Sequence, residues 1–86
     1  MIYFNNLQHA IRYGYCEAPT CIAFRKTKGW FVYSPFDGCP KDAMPELFLP
    51  KQGHLPIPLS VEGGEALLSL LFSLLSDGVN DEASTN

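Results

Sequence analysis

Thr20-Cys21-Ile22-Ala23-Phe24-Arg25-Lys26-Thr27-Lys28-Gly29-Trp30-Phe31-Val32-Tyr33-Ser34 decides the fold. Residues 21–25 and 30–33 are rich in β-branched and aromatic side chains, which suit a pleated, half-buried surface. The polar run Lys26-Thr27-Lys28-Gly29 between them ends in the residue that most readily supplies a positive φ. The stretch predicts a β-hairpin over residues 20–34. Counting all four polar residues as loop sets Arg25 opposite Trp30, Phe24 opposite Phe31 and Ile22 opposite Tyr33. The side bearing Ile22, Phe24, Phe31 and Tyr33 is wholly apolar and is the expected core face, with Arg25 and Trp30 on the other.

A two-stranded hairpin is marginal alone, so the flanking segments must cover it. Before it, residues 5–15 predict a short helix. Asn5 is placed to cap it, with Gln8 three positions on, and Leu7, Ala10, Ile11 and Tyr15 share one face. Gly14 is a natural stop, and Met1 to Phe4 can lead in as a strand. After the hairpin, residues 35–60 hold six of the seven prolines and predict a proline-rich irregular segment. Any strand there, around Glu46–Leu49 or Leu55–Leu59, is expected at a sheet edge.

Residues 61–77 predict the main helix, capped by Ser60, favoured at its positive end by Glu62 and Glu65, and ended by Asp77-Gly78. Gly63 and Gly64 weaken its first turn. The fold class is therefore α+β: one domain over residues 1–78, followed by a disordered acidic tail at 79–86. The expected core is Leu7, Ile11, Ile22, Phe24, Phe31, Tyr33, Leu67, Leu71, Phe72 and Leu75.

The last helix is apolar over more of its surface than one-sided packing uses. Val61, Leu67, Leu68, Leu70, Leu71, Phe72, Leu74 and Leu75 cover an arc of roughly 200°, against the roughly 100° that a surface helix buries. Glu62, Glu65, Ser69, Ser73 and Ser76 form the narrow polar remainder. Either residues 46–59 fold over the surplus, through Phe48, Leu49, Leu55 and Ile57, or another chain does. A homodimer or another protein partner is expected there, with Leu67, Leu70 and Leu74 as interface residues.

Charge and cysteine usage narrow the function. The chain has a net charge of −3, with a formal +2 over residues 1–60 and −5 over 61–86. This gives no general attraction to nucleic acid or anionic membranes. A basic, aromatic hairpin tip of Arg25, Lys26, Lys28 and Trp30 is nevertheless a possible contact for a phosphate backbone, with Arg25 stacked on Trp30. Three cysteines, Cys16, Cys21 and Cys39, make a poor disulfide framework, and no secretory signal or 20-residue apolar span is present. A cytoplasmic location without membrane association follows as the expectation. Cys16, Cys21, Cys39 and His54 have zinc-ligand chemistry but lack the spacing of a finger or knuckle, so neither metal nor cofactor is expected.

No nucleophile–base pair, phosphate loop or paired carboxylate stands in a supporting context. The function expected from the sequence is a small non-catalytic protein-binding module: an adaptor, inhibitor or accessory protein. A nucleic-acid-associated protein using the hairpin tip is the alternative, and a small zinc-binding domain a distant third.

Overall fold

Five strands form one antiparallel sheet in the computed structural model, which describes residues 1–85, with side chains through Leu74. The elements run β1 (Tyr3–Phe4), α1 (Leu7–Cys16), β2 (Thr20–Arg25), β3 (Gly29–Tyr33), β4 (Met44–Leu49), β5 (Ile57–Pro58) and α2 (Val61–Thr85). The sheet order is β1-β3-β2-β4-β5. Ile22, Leu47 and Leu49 on one face meet Ala10 and Ile11 of α1 and Leu70 of α2, so both helices lie on that face. The α+β class holds, with a hairpin, a short N-terminal helix and a C-terminal helix in the expected order.

The hairpin register differs from expectation by one residue. Lys28 donates its backbone N–H to the Arg25 carbonyl at 3.0 Å, and Gly29 pairs directly with Arg25 at φ +102°. The loop is thus Lys26-Thr27-Lys28, and Gly29 belongs to the strand as the left-handed residue of a bulged turn. Phe24 therefore opposes Trp30, Ile22 opposes Val32 and Ala23 opposes Phe31. Since side chains alternate, this slip moves Trp30 and Val32 to the helix face and Phe31 and Tyr33 to the other. Phe24 and Tyr33, both expected in the core, are only half-buried.

Phe31 is fully buried all the same, because the second face is also covered. Tyr3 meets it edge-on at 5.4 Å, and the Arg25 guanidinium lies 5.2 Å from its ring centroid. Residues 34–43 return to this face, where Asp42 binds Arg25 through two hydrogen bonds of 3.0 and 2.8 Å.

The proline-rich segment is not irregular throughout, and its longer strand is not at an edge. β4 sits between β2 and β5. It accommodates Pro45 because the ladder with β2 slips there: Ile22 pairs with Leu47 but Ala23 with Pro45, leaving Glu46 as the extra residue of a bulge. Of the two strands in this segment, β5, with Pro58, is the one at an edge.

Both helix starts are capped, with adjustments. Asn6, not Asn5, caps α1, accepting from the Gln8 N–H at 2.8 Å. Gly14 lies inside α1 rather than ending it, and its carbonyl accepts from the buried Thr20 hydroxyl at 2.9 Å. Ser60 caps α2 as expected, its hydroxyl accepting from the Gly63 N–H at 2.9 Å. α2 runs to Thr85 instead of stopping at Asp77-Gly78. A glycine stops a helix only where the chain departs left-handed; otherwise it costs about 1 kcal/mol within it. Residues 79–85, expected as a tail, fall within the span of this helix, and Asn86 lies outside the described residues.

The rotation of α2 about its axis reverses part of the expected core. Gly63 and Leu70 are buried and Ala66 and Leu67 half-buried, an i, i+3, i+4, i+7 line that faces the sheet. Leu71 and Phe72, expected inside, are exposed. Leu75 is beyond the described side chains. The cause is the contact of Gly63 with β4. A Cβ on Gly63 would stand 2.7 Å from the carbonyl carbon of Glu46 and closer still to its oxygen, so only glycine fits. With that position pinned inward, residues 66, 67 and 70 follow it.

Gly63→Ala is accordingly expected to cost about 3 kcal/mol or more in urea unfolding, because rigid backbone stands in the way. Gly64→Ala, whose Cβ would meet only Pro58 Cβ at 3.9 Å, is expected to gain about 0.5–1 kcal/mol. Equal effects at the two positions would refute the contact.

Candidate functional site

α2 presents its largest apolar side chains to solvent. Val61 is 82% exposed, Leu68 59%, Leu71 36% and Phe72 71%. At about 100° per residue these four fall within a stripe roughly 100° wide on the side away from the sheet. Leu74 is 52% exposed for a different reason. It continues the inward line of Leu67 and Leu70, but from residue 71 to 74 every described side chain of α2 is exposed.

The expected interface residues therefore part company. Leu70 is 8% exposed and belongs to the core, and Leu67 is half-buried against it, so neither forms an outward patch. Leu74 does. The outward positions missed by sequence reasoning are Leu68, Leu71 and Phe72. Both sides of the apolar arc are leucine-rich, so composition alone could not say which faced in; the glycine at position 63 could have.

Residues 46–59 do not cover the stripe. Leu49 is buried in the core, and Phe48 opposes Cys21, which lies on the other face of the sheet. Leu55, Ile57 and Leu59 are themselves exposed.

The start of α2 rests on a buried carboxylate. The bulge turns Glu46 inward, where it is 6% exposed and the Trp30 indole N–H donates to it at 3.4 Å. Burial pushes the Glu46 carboxyl above its ordinary value; the Trp30 hydrogen bond opposes the rise, and the nearby Glu62 charge adds to it. Trp30 is thus the floor of the helix layer, beneath a groove of about 550 Å³ between the start of α1 and α2.

The basic hairpin tip does not assemble as one patch. Arg25 and Trp30 lie on opposite faces of the sheet, which removes their expected stacking. Arg25 instead bonds to Asp42 and the Tyr3 hydroxyl and stacks on Tyr3 and Phe31. The Arg25 hydrogen bonds hold the Asp42 carboxyl below its usual range. The Lys28 ammonium sits 5.4 Å from the Tyr3 ring centroid. Lys26 borders a separate hollow with Phe24, Lys41, Met44 and Glu62.

The cysteines are divided as well. Cys21 and Cys39 both lie beside Tyr33, and burial raises all three above their ordinary values. Cys16 is exposed at the end of α1, across the sheet from them. Among the described residues, no three His, Cys, Asp or Glu side chains converge in a metal-binding group. Comparison of the chain with protein-family models, curated proteins and solved structures finds no significant match.

The raised Glu46 value makes a testable pH dependence. The folded state holds this proton more tightly than the unfolded chain does. Stability therefore falls as pH rises from the ordinary carboxyl range through the raised value, and the ionised buried group costs stability above it. Glu46→Gln keeps the acceptor for Trp30 without the charge. It is expected to be more stable than the parent at about pH 8, with the advantage gone near about pH 4, in urea midpoints across that range. A difference that does not vary with pH would contradict the assignment.

Proposed function

We propose that the protein is a non-catalytic protein-binding module, an adaptor, inhibitor or accessory protein acting through the outer apolar face of α2. The observation that carries this reading is the exposure of Leu68, Leu71 and Phe72 together on one face of α2, with Leu74 exposed beside them. Burying each fully would contribute about 1.5–3 kcal/mol. Contiguous exposed apolar surface of this kind marks an interaction site, and a helix offering i, i+3, i+4 anchors suits a groove or another helix.

Two further observations favour binding over chemistry. Among the described residues, the buried polar side chains, Thr20 and Glu46, are both engaged in structure: one ties α1 to β2, the other meets Trp30 under α2. The two thiols facing Tyr33 are raised by burial, which lowers the thiolate fraction a nucleophile needs. Binding to nucleic acid is less favoured, because Trp30 is turned away from the cations and Arg25 is already paired. Among the described residues, no helix is long and apolar enough to cross a membrane. A cytoplasmic setting belongs to the same proposal, supported by three free thiols.

Affinity capture from the native host tests the reading when paired with face variants. Leu68→Glu and Phe72→Glu replace exposed side chains and should leave the helical circular dichroism intact. A partner, including another copy of the chain, that is captured by the parent and lost with both variants is the expected result. Capture that is indifferent to both substitutions would contradict the reading.

A further inference from the structure

We infer that the occupant of the outer α2 face is a second copy of this chain, its α2 lying antiparallel to the first across a two-fold axis near Leu71 and Phe72. The inference rests on the reading of α2 as a binding face and names the partner.

The shape of the surplus points to a like partner. α2 has 25 residues, about 37 Å of helix, and among its described side chains the inward line runs from Gly63 to Leu70, about 11 Å. Past Leu70 the described helix is exposed on all sides, although Leu71, Phe72 and Leu74 are apolar. A helical stretch without tertiary cover is marginal in water. A second copy brings the same uncovered stretch and the same need, and a two-fold axis satisfies both with one self-complementary patch. The axis falls where the outward stripe and the overhang coincide, so that position 71 meets position 72 of the partner.

Charge selects the direction. From Val61 onward the chain carries Glu62, Glu65, Asp77, Asp81 and Glu82 and no cation. A parallel pair would set like acidic ends side by side with their helix dipoles aligned. An antiparallel pair brings the acidic last third of one helix toward the start of the other. There the helix end is positive, and Lys26 and Lys41, which border the hollow beside Glu62, offset Glu62 and Glu65, whereas a parallel pair sets all five carboxylates against their own copies. The basic first part and acidic last part of one sequence thus become complementary between two copies.

Light scattering on a sizing column over a micromolar dilution series tests the partner, and single cysteines test the direction. The expected mass is twice 9.6 kDa, with the combined Leu68→Glu, Phe72→Glu variant weakening self-association roughly a hundredfold. On a Cys16→Ser background, Leu71→Cys is expected to form an intermolecular disulfide on mild oxidation and Val61→Cys is not, since antiparallel pairing sets the two copies of position 61 about 30 Å apart. Disulfides at both positions would overturn the antiparallel arrangement. A mass of 9.6 kDa throughout would overturn the second copy. If capture of a host protein then still depended on Leu68 and Phe72, the binding-face reading would survive with a different occupant. A doubled mass that persists in the Glu variant would overturn both.

Discussion

The backbone contact between Gly63 and Glu46 is the constraint on which the rest of the molecule depends. A bulge in β4 exposes the Glu46 carbonyl, which accepts the Leu59 N–H at 2.9 Å and so fixes the chain as it leaves β5 for α2. The same backbone comes too close to α2 for any side chain but hydrogen at position 63. That one steric fact sets the depth of the helix and its rotation. Leu70 goes in and Leu68, Leu71 and Phe72 go out as a consequence of helical spacing, not of any preference among leucines and phenylalanine.

The two faces of the sheet are closed by different means. The helix face buries aliphatic side chains, Ile22, Leu47, Leu49 and Leu70. The opposite face is closed by aromatic rings under a paired arginine, with residues 34–43 held down by Asp42. Magnitudes decide which surface is the better candidate for recognition. An exposed ion pair contributes about 0.2–1 kcal/mol and weakens with salt, whereas each large apolar side chain of the α2 stripe offers about 1.5–3 kcal/mol on full burial. The cations at the hairpin tip are few, and Arg25 is already committed to Asp42. For the α2 stripe, apolar area decides whether association occurs, and the weaker charge terms decide only its direction.

Much of the fold was legible in the sequence for local reasons. Strand-forming residues around a Gly-ended loop marked the hairpin, and Ser60 marked the start of α2. The excess apolar arc was also legible, because it needs only helical periodicity. What failed depended on partners distant in sequence. Gly29 counted as loop, when its pairing with Arg25 moves it into the strand and shifts every cross-strand partner by one. Pro45 argued for an edge, when the adjacent bulge admits it to an interior strand. The rotation of α2 could not be read from an arc that is apolar on both sides. Gly63 held that information as a sign of close approach, but on propensity alone it reads as a weakness in the first turn.

Amide hydrogen exchange along α2 tests the central claim, that a helix anchored at Gly63 leaves its outer face for a second copy to cover. Measured on the intact chain at low and at high micromolar concentration, exchange over residues 66–74 is predicted to slow as concentration rises, while α1 and β2 exchange at the same rate in both samples. Protection over residues 66–74 that is independent of concentration would contradict the account.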